Sequence, residues 1–299
     1  MRIGLGLPTA HSVDGRVVVS WATAAERAGF GSVAVIDRVV APTHDPLTAL
    51  AAAGAVTESI ELITAVLLGP LRSTALLAAQ AATVDQLSGG RLTLGLAVGS
   101  RAPDYDTVGV SYHRRGQILD DQVAQLLSVW RSPADFAVPG PAPVTPGGPP
   151  LLFGGTSAAS VRRAATVGAG WICGRGGPAD FRRTADQVRR AWSEAGRDGE
   201  PRLLTVINCA IGDTADRDKR EFLGRYYGTA SFFESLLRNT PATAGQLSDL
   251  VGQFGQLGCD DVLLLPCSAD VDHVALYAAA CNGSIYTPRN AAHNAEPLR

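Results

Sequence analysis

Two short stretches, Gly154-Gly155-Thr156-Ser157 and Gly174-Arg175-Gly176-Gly177, are richer in glycine than a packed element tolerates, and the first adds two hydroxyl residues. Each lies between an apolar run and a helical pattern. Unpaired backbone N–H groups and the helix dipole would converge there on an anion such as a phosphate. Arg175 adds a positive charge, and Pro178 suits a first helical turn. The same residues also suit ordinary turn and N-cap chemistry. The pattern departs from GxGxxG and no Walker motif is present, which disfavours a Rossmann dinucleotide site or an NTPase.

Asp37-Arg38 follows the apolar run SVAVI, and His11 follows RIGLGL by a few residues. Asp37 and Arg38 either act on a ligand or pair with each other or with neighbours. His11 is placed where a loop could lean over a ligand. The remaining histidines form no HxxxH pair, and no GxSxG elbow accompanies them, so metal and serine hydrolysis lose their best signals. In LTLGLAVGSRAPDY, residues 92–105, an apolar run turns abruptly into a glycine-loosened polar loop. Arg101 and Asp104 read as solvated rim charges. Tyr105 could stack on a planar ring or pack against residues 67–71.

The elements that must hold these residues alternate between strand-like and helix-like segments, the pattern of parallel βα units. Eight apolar runs, at 2–7, 32–36, 61–66, 92–98, 150–154, 170–173, 203–211 and 261–266, read as strands. Leu119, Val123, Leu126, Leu127 and Trp130 share one helical face, and Leu76, Leu77, Ala81, Val84 and Leu87 make a similar stripe stopped by Gly89-Gly90. Thr243 and Gln246 have capping-box spacing. Eight strands separated by helices predict an α/β fold, a (β/α)8 TIM barrel, with a doubly wound open sheet as the alternative. Ligand chemistry in such a barrel belongs at the C-terminal strand ends, where all the residues above lie.

Length permits one domain over residues 1–281 and a polar tail at 282–299. Residues 132–149 read as a Pro- and Gly-rich crossover. Residues 212–242 read as a helical insertion carrying Phe222, Tyr226, Tyr227, Phe232 and Phe233, either a lid or an add-on packed on the barrel. Lys plus Arg total 26 against 28 for Asp plus Glu, a net charge of -2, which leaves no footprint for nucleic acid or an anionic membrane. With no signal-peptide or membrane-spanning pattern, a cytoplasmic location is expected. Five cysteines without metal-ligand spacing read as buried thiols.

Several blocks in order, AERAGFGSVAVIDR (25–38), DPLTALAAAGAVTESIELITAVL (45–67), LSGGRLTLGLAVG (87–99) with RRGQILDDQVAQLLSVW (114–130), and TAGQLSDLVGQFGQLGCDDVLLLP (243–266), resemble the bacterial luciferase-like family of flavin- or deazaflavin-dependent oxidoreductases. The resemblance runs from Met1 to about Cys281. It implies a TIM barrel and a non-prolyl cis peptide at Ala65-Val66 against the cofactor ring. It further implies close backbone approach at Gly99 and a phosphate site at Gly154, Gly155 and Thr156, helped by Gly174 and Arg175. Many deazaflavin members carry Asp-His where this chain has Asp37-Arg38, so a proton-transfer histidine is missing there. Arg38 stays protonated and could hold an anion, but is no ordinary base. The resemblance implies a monooxygenase acting with reduced FMN and O2 on a small-molecule substrate, its flavin reduced by a separate reductase, and a homodimer. The alternatives are hydride transfer with a deazaflavin coenzyme, and a noncatalytic flavin-binding partner subunit.

Overall fold

The computed structural model describes residues 1–131, 140–174, 176–228 and 230–281. The tail at 282–299, Arg175 and the first part of the crossover lie outside these residues. All eight expected strands form: β1 (Arg2–Gly6), β2 (Ser32–Val35), β3 (Glu61–Thr64), β5 (Leu92–Ala97), β6 (Leu151–Gly154), β7 (Gly170–Cys173), β8 (Arg202–Cys209) and β9 (Asp261–Pro266). A further two-residue strand, β4 (Leu67–Leu68), continues the line of β3 beyond a cis peptide bond between Ala65 and Val66. All pairings are parallel, and β3 pairs with β5 while β1 pairs with β9, so the sheet closes into an eight-stranded barrel. Closure rules out the open-sheet alternative and removes both sheet edges.

Strand parity sorts the apolar residues. On β8, Leu204 and Val206 point into the barrel with Ile63, Leu152, Ile172 and Leu263, whereas Leu203, Ile207 and Cys209 face the surrounding helices. Burial on both faces explains why these strands read as continuous apolar runs rather than alternating ones.

At the N-terminal end the barrel is closed by ions. Arg2 bonds Asp261 at 2.6 Å and Glu61 at 2.8 Å, while Arg202 bonds Glu61 at 2.7 Å and Asp261 at 2.8 Å. Thr93 donates a further 2.6 Å bond to Glu61. These residues begin β1, β3, β5, β8 and β9, so one cluster ties five strands in register. Burial alone would raise the Glu61 carboxyl, but Arg202 and Arg2 outweigh it and hold the group below its ordinary value.

The helices follow local signals. Helix α10 (Ala244–Gln256) starts at Thr243, whose hydroxyl accepts from the Gln246 N–H, and Gln246 reaches back to the N–H of Ala242. Helix α3 (Thr74–Ser88) stops at Gly89, which takes the left-handed conformation at φ +67°. Of its stripe, Leu77, Ala81 and Val84 are buried, but Leu76 and Leu87 are 61% and 54% exposed. Leu76 and Leu77 are adjacent, about 100° apart around the helix, so only one of them meets the barrel. On helix α5 (Arg115–Arg131), Leu119, Val123, Leu126 and Trp130 are buried as the spacing requires.

Two residues of the resembling blocks fasten the loop before β3. Glu26, in helix α1 (Gly15–Arg27), accepts from the N–H groups of Glu58, Ser59 and Ile60. Arg91 donates to the carbonyls of Gly54, Thr57, Ile60 and Ser88 and to the Thr57 hydroxyl. Within the described residues no helix is long and apolar enough to cross a membrane.

The ionic base gives a pH prediction. Because the folded-state pKa of Glu61 is depressed, its contribution is fully present above the ordinary value of 4.5 and is lost as pH falls through the lower folded value. Glu61→Gln leaves two arginines sharing Asp261, and is expected to cost about 3 kcal/mol at pH 7. Urea unfolding across pH 3–7 should show that penalty shrinking toward the acid end; a penalty independent of pH would contradict the assignment.

Candidate active site

The C-terminal strand ends form a mouth floored by small apolar groups. A Cβ on Gly154 would stand 3.0 Å from Val66 Cγ1 and 3.4 Å from Ala97 Cβ, so these three residues from neighbouring strand ends converge. Asn208 continues the inward parity of Leu204 and Val206, and its Oδ1 is buried with no hydrogen-bond partner. An orphaned amide oxygen above an apolar floor is costly unless a ligand supplies a donor. Nothing in the one-dimensional pattern marked Asn208 except its polarity at the inward position that follows Leu204 and Val206.

Asp37 is committed to structure. Its Oδ2 accepts from the Leu68 N–H at 2.8 Å and from Arg72 at 2.6 Å, and its Oδ1 accepts a second Arg72 bond at 3.2 Å. The side chain is 3% exposed. It fixes the chain just after the cis bond, held there by a bidentate guanidinium. Of the two readings of Asp37, the structure shows the pairing, with Arg72 as the partner. Arg72 also reaches Asp45, the N-cap of helix α2 (Pro46–Ala55).

Arg38 points the other way. Its guanidinium lies 3.7 Å from the centroid of Tyr226, and its Nη1 donates to the Tyr226 carbonyl. Tyr226 belongs to helix α8 (Ala215–Tyr227), which with α9 (Phe233–Asn239) forms the helical insertion. The insertion packs on the mouth. Phe222 and Leu223 join Ala10, Ala210 and Cys267 in one apolar cluster, with Ile36 at its edge. Burial pushes Arg38 below its ordinary value, yet the group stays a cation at neutral pH.

His11 stacks on Phe222 with centroids 4.4 Å apart, and its Nε2 lies 3.0 Å from the Pro266 carbonyl. A carbonyl only accepts, so Nε2 carries the proton. Burial, aided by Arg225, pushes the imidazole down to about 4 despite the Pro266 bond. His11 is thus neutral at physiological pH and weakly basic at Nδ1.

The loop after β5 resolves differently from its sequence. Tyr105 is fully buried among Leu68, Leu71 and Val39, and its hydroxyl donates to the Val98 carbonyl. Of the two sequence expectations for Tyr105, the structure shows the packing on 67–71. Burial raises its hydroxyl to about 12. Asp104 is 2% exposed rather than solvated, accepting from the Val40 N–H at 2.8 Å and from Arg101 at 3.3 Å. Gly99 has φ +69°, and a Cβ there would stand 3.0 Å from Leu68 Cδ2, so its backbone conformation and Leu68 already demand glycine.

The first glycine-rich stretch does lead into a helix start. Ser157 caps α6 (Ala158–Thr166) by accepting from the Ser160 N–H, while the N–H groups of Ala158 and Ala159 have no intrahelical partner. Gly155 takes φ +110° and its carbonyl accepts from the Trp171 indole at 2.7 Å, which fixes the turn, and Thr156 is exposed beside it. Gly174 opens onto space, with nothing within 4 Å of a Cβ built there. Helix α7 (Pro178–Glu194) begins at Gly177 with Asp180 in its first turn, bonded to Arg183 at 2.6 Å. An acid at that helix start makes β6–α6 the better anion cradle.

All five cysteines are buried and none is in a disulfide. Burial raises the Cys281 thiol to about 11 and pushes Cys209, Cys259 and Cys267 up as well, so they are inert packing groups. No His, Cys, Asp and Glu cluster among the described residues could hold a metal.

Known proteins share this architecture. An uncharacterized protein of Mycobacterium tuberculosis is 30% identical over 232 residues, 67% of this chain and 78% of its own. Monooxygenase RslO1 from Streptomyces bottropensis superposes with a TM-score of 0.79 at 18% identity, covering 95% of this chain and 98% of its own. An F420-dependent secondary alcohol dehydrogenase in complex with an F420-acetone adduct gives 0.78 at 19% identity, covering 94% and 98%. The FMN-bound oxygenating constituent of 3,6-diketocamphane monooxygenase from Pseudomonas putida gives 0.75 at 16% identity, covering 96% and 99%. At such identities the superpositions establish the fold. A family model for luciferase-like monooxygenases matches residues 1–251, and the chain belongs to that family.

Proposed function

We propose that the protein is a monooxygenase that binds reduced FMN, delivered by a separate reductase, and oxidises a small organic substrate with O2. The observation that carries this reading is the apolar floor of Val66, Ala97 and Gly154, which leads at Gly154 into the N-terminus of α6. A planar ring with a phosphate-ended tail fits that pairing of surfaces. Val66 and Ala97 would support the ring, and the N–H groups of Gly155, Ala158 and Ala159 would hold the phosphate. The orphaned Asn208 amide meets a hydrogen-bonding ring edge, since a carboxamide offers a donor and an acceptor side by side. Reduced FMN, when bound, supplies the electron pair for O2 that no side chain here provides.

The chain's own contribution is positioning and exclusion of water. Asp37 is tied to Arg72, and burial holds His11 neutral, so His11 is not poised as a strong acid or base at pH 7. The aromatic side chains of α8 cover one side of the mouth and keep it dry.

Fluorescence titration with FMN, reduced FMN and the deazaflavin coenzyme tests the cofactor assignment. Reduced FMN should bind tightest; tight binding of the deazaflavin coenzyme alone would move the protein to hydride transfer. Flavin oxidation unchanged by every substrate until another subunit is added would instead indicate a noncatalytic partner.

Gly174→Leu tests the place. The new side chain meets no atom within 4 Å at its Cβ, so the melting temperature should shift by no more than about 2 °C. Cofactor affinity should nevertheless fall about tenfold or more as the side chain enters the space beside the tail. Unchanged affinity would remove Gly174 from the site.

A further inference from the structure

We propose that Arg38 is the counter-ion for a carboxylate on the substrate, so that the enzyme acts on aryl or alkyl carboxylic acids. This rests on reading the mouth as the cofactor site. Arg38 follows Ala34 and Ile36 on the inward face of β2 and its continuation, and Ile36 packs both against the barrel interior and against the insertion. The neighbouring carboxylates are already engaged: Asp37 by Arg72 and the Leu68 N–H, Asp104 by Arg101 and the Val40 N–H. Among the described residues Arg38 makes no ion pair, and its guanidinium makes one hydrogen bond, donated by Nη1 to the Tyr226 carbonyl.

A guanidinium has five N–H donors in a rigid fork suited to a carboxylate. The Tyr226 ring on one face of Arg38 fixes its plane, and Nε and Nη2 are left without partners among the described residues. A half-buried cation without an ion-pair partner of its own carries a desolvation cost that a ligand carboxylate offsets. The adjacent walls, Ile36, Phe222 and Tyr226, are apolar or aromatic and suit a hydrocarbon body.

The cofactor's phosphate is the other anion available, and the topology sets it apart. Around the barrel the order runs β2, β3, β5, β6, β7. The glycine-rich turn after β6 is therefore three strands from β2 and that after β7 four, across the mouth of an eight-stranded barrel. One phosphate held there does not also reach Arg38, which leaves a second anion to be supplied.

The test uses matched probes, benzoate against benzamide and hexanoate against hexanamide, with binding followed by tryptophan fluorescence in the presence and absence of cofactor. Wild-type protein should bind each acid about tenfold or more tightly than its amide, the scale of a charge-assisted pair. Arg38→Gln should abolish the preference while leaving amide binding in place, and Arg38→Lys, which keeps the charge but not the fork, should keep only part of it. A purely structural latch on α8 would instead weaken acid and amide together. Cofactor affinity in Arg38→Gln should stay within about twofold of wild type, on the same logarithmic scale.

Equal binding of acid and amide by the wild type, or a preference that survives Arg38→Gln, overturns the proposal. A large loss of cofactor affinity in that variant overturns it too, by assigning Arg38 to the cofactor phosphate. If Arg38→Gln does not fold, the wild-type pairs decide alone. Failure of every cofactor to bind wild-type protein would sink the reading of the mouth, whereas bound cofactor with indifferent acid and amide sinks only the inference about Arg38.

Discussion

Closure of the sheet is the constraint on which everything else rests. Once β3 pairs with both β2 and β5, every strand end is fixed relative to its neighbours, and side chains distant in sequence become one surface. The ionic cluster of Arg2, Glu61, Arg202 and Asp261 secures that closure at the base. Replacing it with apolar groups need not be unfavourable in energy, because buried ion pairs pay heavily in desolvation. What the cluster adds is register, since two arginines and two carboxylates meet only when β1, β3, β8 and β9 are correctly aligned. Correct alignment at the base sets the heights at which Val66, Ala97, Gly154 and Asn208 emerge at the mouth.

At the opposite end the chain uses carboxylates as braces. Asp37 ties the end of β2 to the segment after the cis bond, and Asp104 ties the following loop to helix α4 (Ala102–Val108). Each is nearly fully buried and accepts a backbone N–H as well as an arginine. A carboxylate so placed holds two loops in fixed relation. The insertion then settles on this braced rim through Phe222, Tyr226 and His11.

Much of the scaffold was legible in the sequence because it is written in local patterns. The eight apolar runs, the capping pair Thr243–Gln246 and the stop at Gly89 each act within a few residues. What was not legible depends on partners far along the chain. Asp37 meets Arg72 across 35 residues, and Tyr105 is buried by Leu68 and Leu71, so the polarity of the LTLGLAVGSRAPDY loop disguised a packed core. Leu76 and Leu77 looked equivalent by composition, and only the orientation of α3 against the barrel separates them. Asn208 is the converse case, a polar residue whose inward placement follows from strand parity.

The same distinction bears on what family membership says about chemistry. The blocks that carry the likeness include Glu26 and Arg91, which bind the backbone of residues 54–60 at the far end of the barrel from the mouth. Their job is to hold a loop, and any chemistry performed at the other end tolerates them equally. The mouth varies independently, since its loops are attached to strands that the base already fixes. Asp37 and Arg38 illustrate this within two adjacent residues. Their side chains diverge, one to Arg72 in the scaffold and one to Tyr226 in the insertion. Asp37 therefore belongs to the scaffold, whereas Arg38 is the residue on which the proposal about the ligand rests.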